Sequence, residues 1–177
     1  MAEALETVRD VRVWDPVVRT FHWTLVVAFF GAFVLTDLRD IHRPLGYVAV
    51  SAVAVRVVWG FVGTRYARFG SFVPRPRTFL AYVRDSFRGR EGRYLGHNPA
   101  GGAMVVALIG IVALLGVTGW MMGLDTFWGE DWVKEVHETV ANLAVALVAL
   151  HVGGVVWESR RHRENLVAAM ITGVKRR

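Results

Sequence analysis

An all-α fold, a transmembrane four-helix bundle, is what this sequence predicts. Of its 177 residues 54% are hydrophobic, and its mean hydropathy of +0.36 lies well above that of an ordinary soluble domain. Yet 20% of the residues are charged, too many for a chain wholly immersed in lipid, so the charges must be gathered between apolar stretches. Four such stretches occur, each of about 20 residues or more, the length that crosses a hydrocarbon layer roughly 30 Å thick.

The first stretch runs from about Pro16 to Thr36, with Asp15 placed to cap it and Pro16 at the first helical position. The segment before it is polar and of mixed charge, which reads as a retained first span and not as a cleaved signal peptide. The second runs from about Ile41 to Val62, the third from Pro99 to Leu124 behind the capping residue Asn98, and the fourth from Trp132 to Trp157. Residues 1–177 read as one membrane domain with a long loop over 63–98.

Four spans put both termini and the 63–98 loop on one side of the membrane. That loop carries Arg65, Arg68, Arg75, Arg77, Arg84, Arg88, Arg90 and Arg93 against Asp85 and Glu91, and the tail ends in Lys175, Arg176 and Arg177. The opposite turns hold Asp37, Arg39, Asp40 and Arg43, then Asp125, Glu130, Asp131, Lys134 and Glu135. The positive-inside rule assigns the basic side, with both termini, to the cytoplasm and the opposite side to the periplasm or another external space. The net charge of +6 then follows from topology, and no nucleic-acid partner is expected. Within the loop, Phe79, Leu80, Val83 and Phe87 fall at helical spacing among Arg77, Arg84 and Arg88. They predict a short amphipathic helix lying on the inner membrane surface or against the ends of the bundle. The tryptophans, residues 14, 23, 59, 120, 128, 132 and 157, stand near span ends as interfacial aromatics do.

The chain has no cysteine, which excludes disulfides, thiolate iron–sulfur clusters and covalent c-type haem, and leaves metal chemistry to His and carboxylates. Of its six histidines, His22, His42, His137 and His151 lie in or at the edges of the spans, where an ionisable side chain is costly and points to function. Their depths follow from the helical rise. His22 enters from the basic side, while His42 and His137 begin spans on the opposite side. His151 lies 14 residues beyond His137, about 21 Å deeper and, at nearly four whole turns, on the same helix face. Two pairs result, His22 with His151 and His42 with His137, one near each membrane surface.

Two stacked pairs of imidazoles fit two b-type haems, each ligated axially by two histidines. For any single histidine an interhelical hydrogen bond is the plainer account; four at matched depths favour haem. A zinc or manganese transporter is the poorer alternative, because no third ligand accompanies either pair and Glu138 faces about 100° away from His137. Gly31, Gly46, Gly110, Gly116, Gly119, Gly153 and Gly154 admit a porphyrin or a neighbouring helix, and Gly46 is assigned to the cofactor. Arg56, 14 residues after His42, reaches the level of the cytoplasmic pair, where it pairs with haem propionates or snorkels to the surface. His97 and His162 read as surface residues, with contact to a propionate or quinone an alternative for His97.

The strings VWDPVVRTFHW, RVVWGFVG, RYLGHNP, WVKEVHETVANLAVALVALH and HRENLVAAMITG resemble the bacterial cytochrome b561 family, which includes the b-type cytochrome subunits of nickel–iron hydrogenases. The resemblance covers nearly the whole chain, and HETVANL followed by His151 is its most specific part. It implies a four-helix dihaem membrane cytochrome that moves electrons between a quinone pool and a redox partner, and the family's ligand positions fall on His22, His42, His137 and His151. Hydrogenase-type relatives often carry an additional span, so four spans fit the smaller, freestanding class.

The expected chemistry is electron transfer across the bilayer, with quinol as the reductant or quinone as the oxidant. The external side is the preferred quinone site, because the acidic, aromatic segment TFWGEDWVKE lies beside His42 and His137. Trp128 and Trp132 there serve as pocket walls or as interfacial anchors. Expected partners are membrane lipid, the quinone pool, and either a soluble periplasmic cytochrome c or the catalytic subunit of a larger oxidoreductase; a homodimer is compatible with this reading.

Overall fold

The computed structural model describes residues 10–176. A short strand β1 (Asp10–Arg12) leads into α1 (Pro16–Val34) and α2 (Arg39–Val62); the loop contains the turn α3 (Phe69–Phe72) and α4 (Pro76–Phe87); then come α5 (Pro99–Met121), a 3₁₀ turn (Asp125–Phe127), α6 (Asp131–Arg161), α7 (Leu166–Thr172) and β2 (Val174–Arg176). α1, α2, α5 and α6 are long and apolar enough to cross a membrane, and the chain is a multi-pass, all-α membrane protein.

The caps are those the sequence dictates. Asp15 Oδ1 accepts the Val18 amide at 3.0 Å and Asn98 Oδ1 accepts the Gly101 amide at 2.6 Å, each ahead of a proline at the helix start. The expected spans need adjusting at their ends. α1 stops at Val34 and α5 at Met121, because the residues that follow form turns. α6 continues past Trp157 to Arg161, where Glu158 accepts from Tyr82 Oη at 2.6 Å and Arg161 pairs with Glu91 at 2.7 Å. These tethers to the loop give the polar last turn a reason to stay helical.

α1 packs on α2, α2 on α5, and α5 on α6. The membrane core joins the first three through Ala28, Ala49, Val53 and Val112, flanked by Phe21, Leu25, Val57 and Ile109. Small residues set the spacing: a Cβ at Gly116 of α5 would lie 2.4 Å from Val50 Cγ2 of α2. Leucines, valines and phenylalanines on the outer faces of the four helices are exposed, as a surface meeting lipid requires.

A second core closes the end that carries the termini. Val13, Trp14, Val18, Ala67 and Ala169 pack there with Trp59, Tyr66 and Met170, and β1 pairs antiparallel with β2, Val11 opposite Lys175. Gly173 makes the turn into β2 at φ +84°, and a Cβ there would meet the Trp14 carbonyl at 2.5 Å. Trp14, expected at the interface, is therefore a core residue, 6% exposed, and Trp59 donates from Nε1 to Asp15 Oδ2 at 3.0 Å. Trp120, Trp128, Trp132 and Trp157 are exposed as anticipated. α4 forms where its pattern predicts, but its inner face is not the expected one: Tyr82 is buried, Phe79 and Val83 are half-buried, and Leu80 and Phe87 point outward.

Candidate functional site

The histidines lie at the two ends of the bundle. His42 in the first turns of α2 and His137 in the second turn of α6 stand at the end away from the termini. Their ring centroids are 6.2 Å apart with the planes inclined at 72°. Imidazole nitrogens bind first-row metals at about 2 Å, so two rings sharing one metal have centroids roughly 6 Å apart, and the observed pair fits that spacing.

Hydrogen bonds fix which nitrogen of each ring is free. His42 Nδ1 lies 2.8 Å from the Ala32 carbonyl; a carbonyl only accepts, so Nδ1 carries the proton and Nε2 is left bare and free to ligate. His137 Nδ1 lies 2.8 Å from Thr118 Oγ1. The single hydroxyl proton of Thr118 is directed at the carbonyls of Leu114 and Leu115, 3.0 and 3.2 Å away, so the oxygen accepts from His137 Nδ1 and Nε2 is again bare. This outer hydrogen bond to the far nitrogen is what metal-binding imidazoles characteristically make. Gly119 packs beside the ring, where a Cβ would make ordinary contact with His137 Cε1 at 3.4 Å. Gly46, one turn beyond His42, faces open space, with no atom within 4 Å of an added Cβ.

His22 in α1 and His151 in α6, both half-buried, lie toward the end that carries the termini. His22 stands edge-on to Trp23 at 5.1 Å, and its Nδ1 is sealed from solvent without a hydrogen-bond partner among the described residues. Arg56 of α2 is 2% exposed; it does not snorkel. Its guanidinium lies over Phe69 and Phe72, 5.1 and 5.5 Å from the ring centroids, and Nη1 and Nη2 have no hydrogen-bond partner among the described residues.

Two residues expected at the surface are drawn inward. His97 is wedged between Trp14 and Phe72, 4.7 Å from each ring, and lines a cavity of about 420 Å³ with Tyr66, Ser71 and Tyr94. Burial, and then the charges of Arg56, Lys175, His151 and His22, lower its pKa to about 3, so it is a neutral imidazole. His162 is half-buried against Glu158, 3.3 Å away. The sequence placed both among arginines; only the folding of the loop back onto the bundle end covers them.

Among the described residues no three or more His, Asp or Glu side chains converge as a metal cluster, and Glu138 turns outward to Lys134 at 3.7 Å. Imidazoles in twos suit an iron whose equatorial ligands come from a macrocycle. The acidic segment beyond α5 leaves Trp128 79% exposed, while Trp132 packs edge-on against Phe127 at 6.0 Å.

Comparison with known proteins gives the same direction. The family model described as prokaryotic cytochrome b561 matches residues 13–173. A probable Ni/Fe-hydrogenase B-type cytochrome subunit of Azotobacter vinelandii is 23% identical, covering 92% of this chain and 87% of its own length. A protein of the same name from Rhizobium leguminosarum bv. viciae is 22% identical over 93% of this chain and 88% of its own. No solved structure gives a significant match. The chain belongs to the prokaryotic cytochrome b561 family, membrane electron-transfer proteins built around b-type haem.

Proposed function

We propose that the chain is a dihaem cytochrome that conducts electrons across a bacterial inner membrane, exchanging them with the quinone pool on one hand and a redox partner on the other. One haem is held by His42 and His137, the other by His22 and His151. The observation that carries the reading is the His42–His137 pair, 6.2 Å apart with both Nδ1 atoms engaged. Bound b-type haem supplies a one-electron iron centre, which the chain's own groups cannot. The side chains orient and tune: Ala32 and Thr118 hold the two outer imidazoles in their ligating tautomers, Gly46 leaves room beside His42, and Arg56 offers its unpaired guanidinium to carboxylates of the second haem. The excess of arginine on the loop and tail supports cytoplasmic termini and, with them, a periplasmic position for the His42–His137 pair.

The names of the two relatives support a particular partner: this chain serves as membrane anchor and electron conduit for a catalytic oxidoreductase subunit, of which a hydrogenase is one example. A freestanding quinol oxidase delivering electrons to a soluble periplasmic cytochrome c is the competing form. Co-purification of a metalloenzyme from the native membrane distinguishes them. The ligand pairing is tested by His151→Ala and His42→Ala, each expected to lose one haem and keep the other, with different haems lost in the two variants. Retention of both haems with unchanged spectra in either variant contradicts the pairing.

A further inference from the structure

We infer that Arg56 and His97 together form a carboxylate cradle that fixes the propionate edge of the haem held by His22 and His151, an assignment that rests on the proposed ligand pairing. Phe72 joins the two residues: its ring lies 5.5 Å from the Arg56 guanidinium carbon and 4.7 Å from the His97 ring. Arg56 Nη1 and Nη2 and His97 Nδ1 are all sealed from solvent without a hydrogen-bond partner among the described residues. A buried guanidinium without an acceptor is unfavourable, and the neutral His97 ring beside it can present Nδ1–H to the same acceptor.

The nearest acid does not relieve them. Asp15 spends its oxygens on the Val18 amide, Trp59 Nε1 and Thr64 Oγ1 at 3.0, 3.0 and 2.6 Å. Close backbone approaches keep the cradle in place. A Cβ at Gly60 of α2 would lie 2.1 Å from Phe69, and one at Gly102 of α5 would lie 2.2 Å from the Phe72 carbonyl. Those two glycines let α3 press across the bundle and lay Phe69 and Phe72 against Arg56. The occupant is therefore an anion, and its depth selects the haem: Arg56 follows His42 by the same 14 residues that separate His151 from His137.

The test uses the purified holoprotein with Arg56→Gln, Arg56→Lys, His97→Phe and His97→Gln. The readouts are haem per chain, the midpoint potential of each haem, and the propionate bending bands in the resonance Raman spectrum. Arg56→Gln and His97→Phe should retain both haems and their bis-imidazole spectra. Uncompensated carboxylates favour ferric iron, so the potential of the haem lost in His151→Ala should fall and its propionate bands shift, while the other haem is unchanged. Arg56→Lys and His97→Gln should recover part of the wild-type potential. Should Arg56→Gln fail to fold, His97→Phe carries the same expectation. If both potentials and both sets of bands stay at wild-type values in haem-replete variants, the assignment is overturned; it is also overturned if added inorganic phosphate or anionic lipid, and not haem, changes the Arg56 environment. A wild-type chain without a second haem would instead overturn the ligand pairing beneath it.

Discussion

At His137 the tautomer that the proposed ligation needs depends on one hydroxyl. Thr118 sits at the buried face of α5, 5% exposed, and its proton is already committed to its own helix, so its oxygen can only accept from Nδ1. Thr118→Val keeps the shape and removes the acceptor, freeing the ring to rotate and change tautomer. Loss of such a supporting bond costs about 10–100-fold in metal affinity. The expected result is that much faster transfer of one haem, the one lost in His42→Ala, to apomyoglobin, with Thr118→Ser close to wild type. The positions of the four histidines along the spans were legible, because an ionisable side chain in an apolar span stands out and helical spacing gives its depth; their role as ligands is the proposal. Thr118 was not, since a threonine in a transmembrane helix is ordinary until the register of α5 against α6 is known. His97 was misread for a related reason: its neighbours in sequence are polar, while Trp14 and Phe72, which enclose it, come from other segments.

The long helices were readable as elements because length and hydropathy define them, and Asp15 and Asn98 marked two starts. The small elements that close the bundle end were not. β1 and β2 are three residues each, too short for any periodicity to register, and they are held by tertiary contacts. Chief among these is Glu164, 8% exposed, which meets Arg93 at 3.1 Å and Lys175 at 3.3 Å. Burial alone would raise the Glu164 pKa, but the hydrogen bond from Arg93 and the charges of Lys175 and Arg93 hold it below its ordinary 4.5. The unfolded chain therefore takes up the proton first as pH falls, so this carboxylate contributes stability that is fully present above about pH 4.5 and is lost as pH drops through the lower folded value. The protection of the tail amides against hydrogen exchange, corrected for the intrinsic pH dependence, should fall over that acidic window in the wild type. Glu164→Gln should start from a faster rate at neutral pH and show a flatter pH dependence; an identical pH profile in the two proteins would mean the clasp is not held by this ion pair.

For the whole molecule, the order of the helices determines what the chain can do. α6 carries an imidazole near each end, 14 residues apart, while α1 and α2 carry one histidine each, His42 of α2 standing 6.2 Å from His137. A single helix thus separates its own two imidazoles by about 21 Å, the distance that the proposed electron path would have to cover. The four spans and the depths of the histidines along them could be read from hydropathy and spacing alone, since the bilayer imposes the length. The folding of the 63–98 loop into a lid of packed aromatics over Arg56 could not, because nothing in a run of arginines distinguishes a surface loop from one tied to the bundle by Glu91, Glu158 and Glu164. The central claim is that the chain holds two haems between paired histidines. The pyridine haemochrome content of the purified protein, per chain, tests it most directly: about two b-type haems is the predicted result, and one haem or none would contradict it.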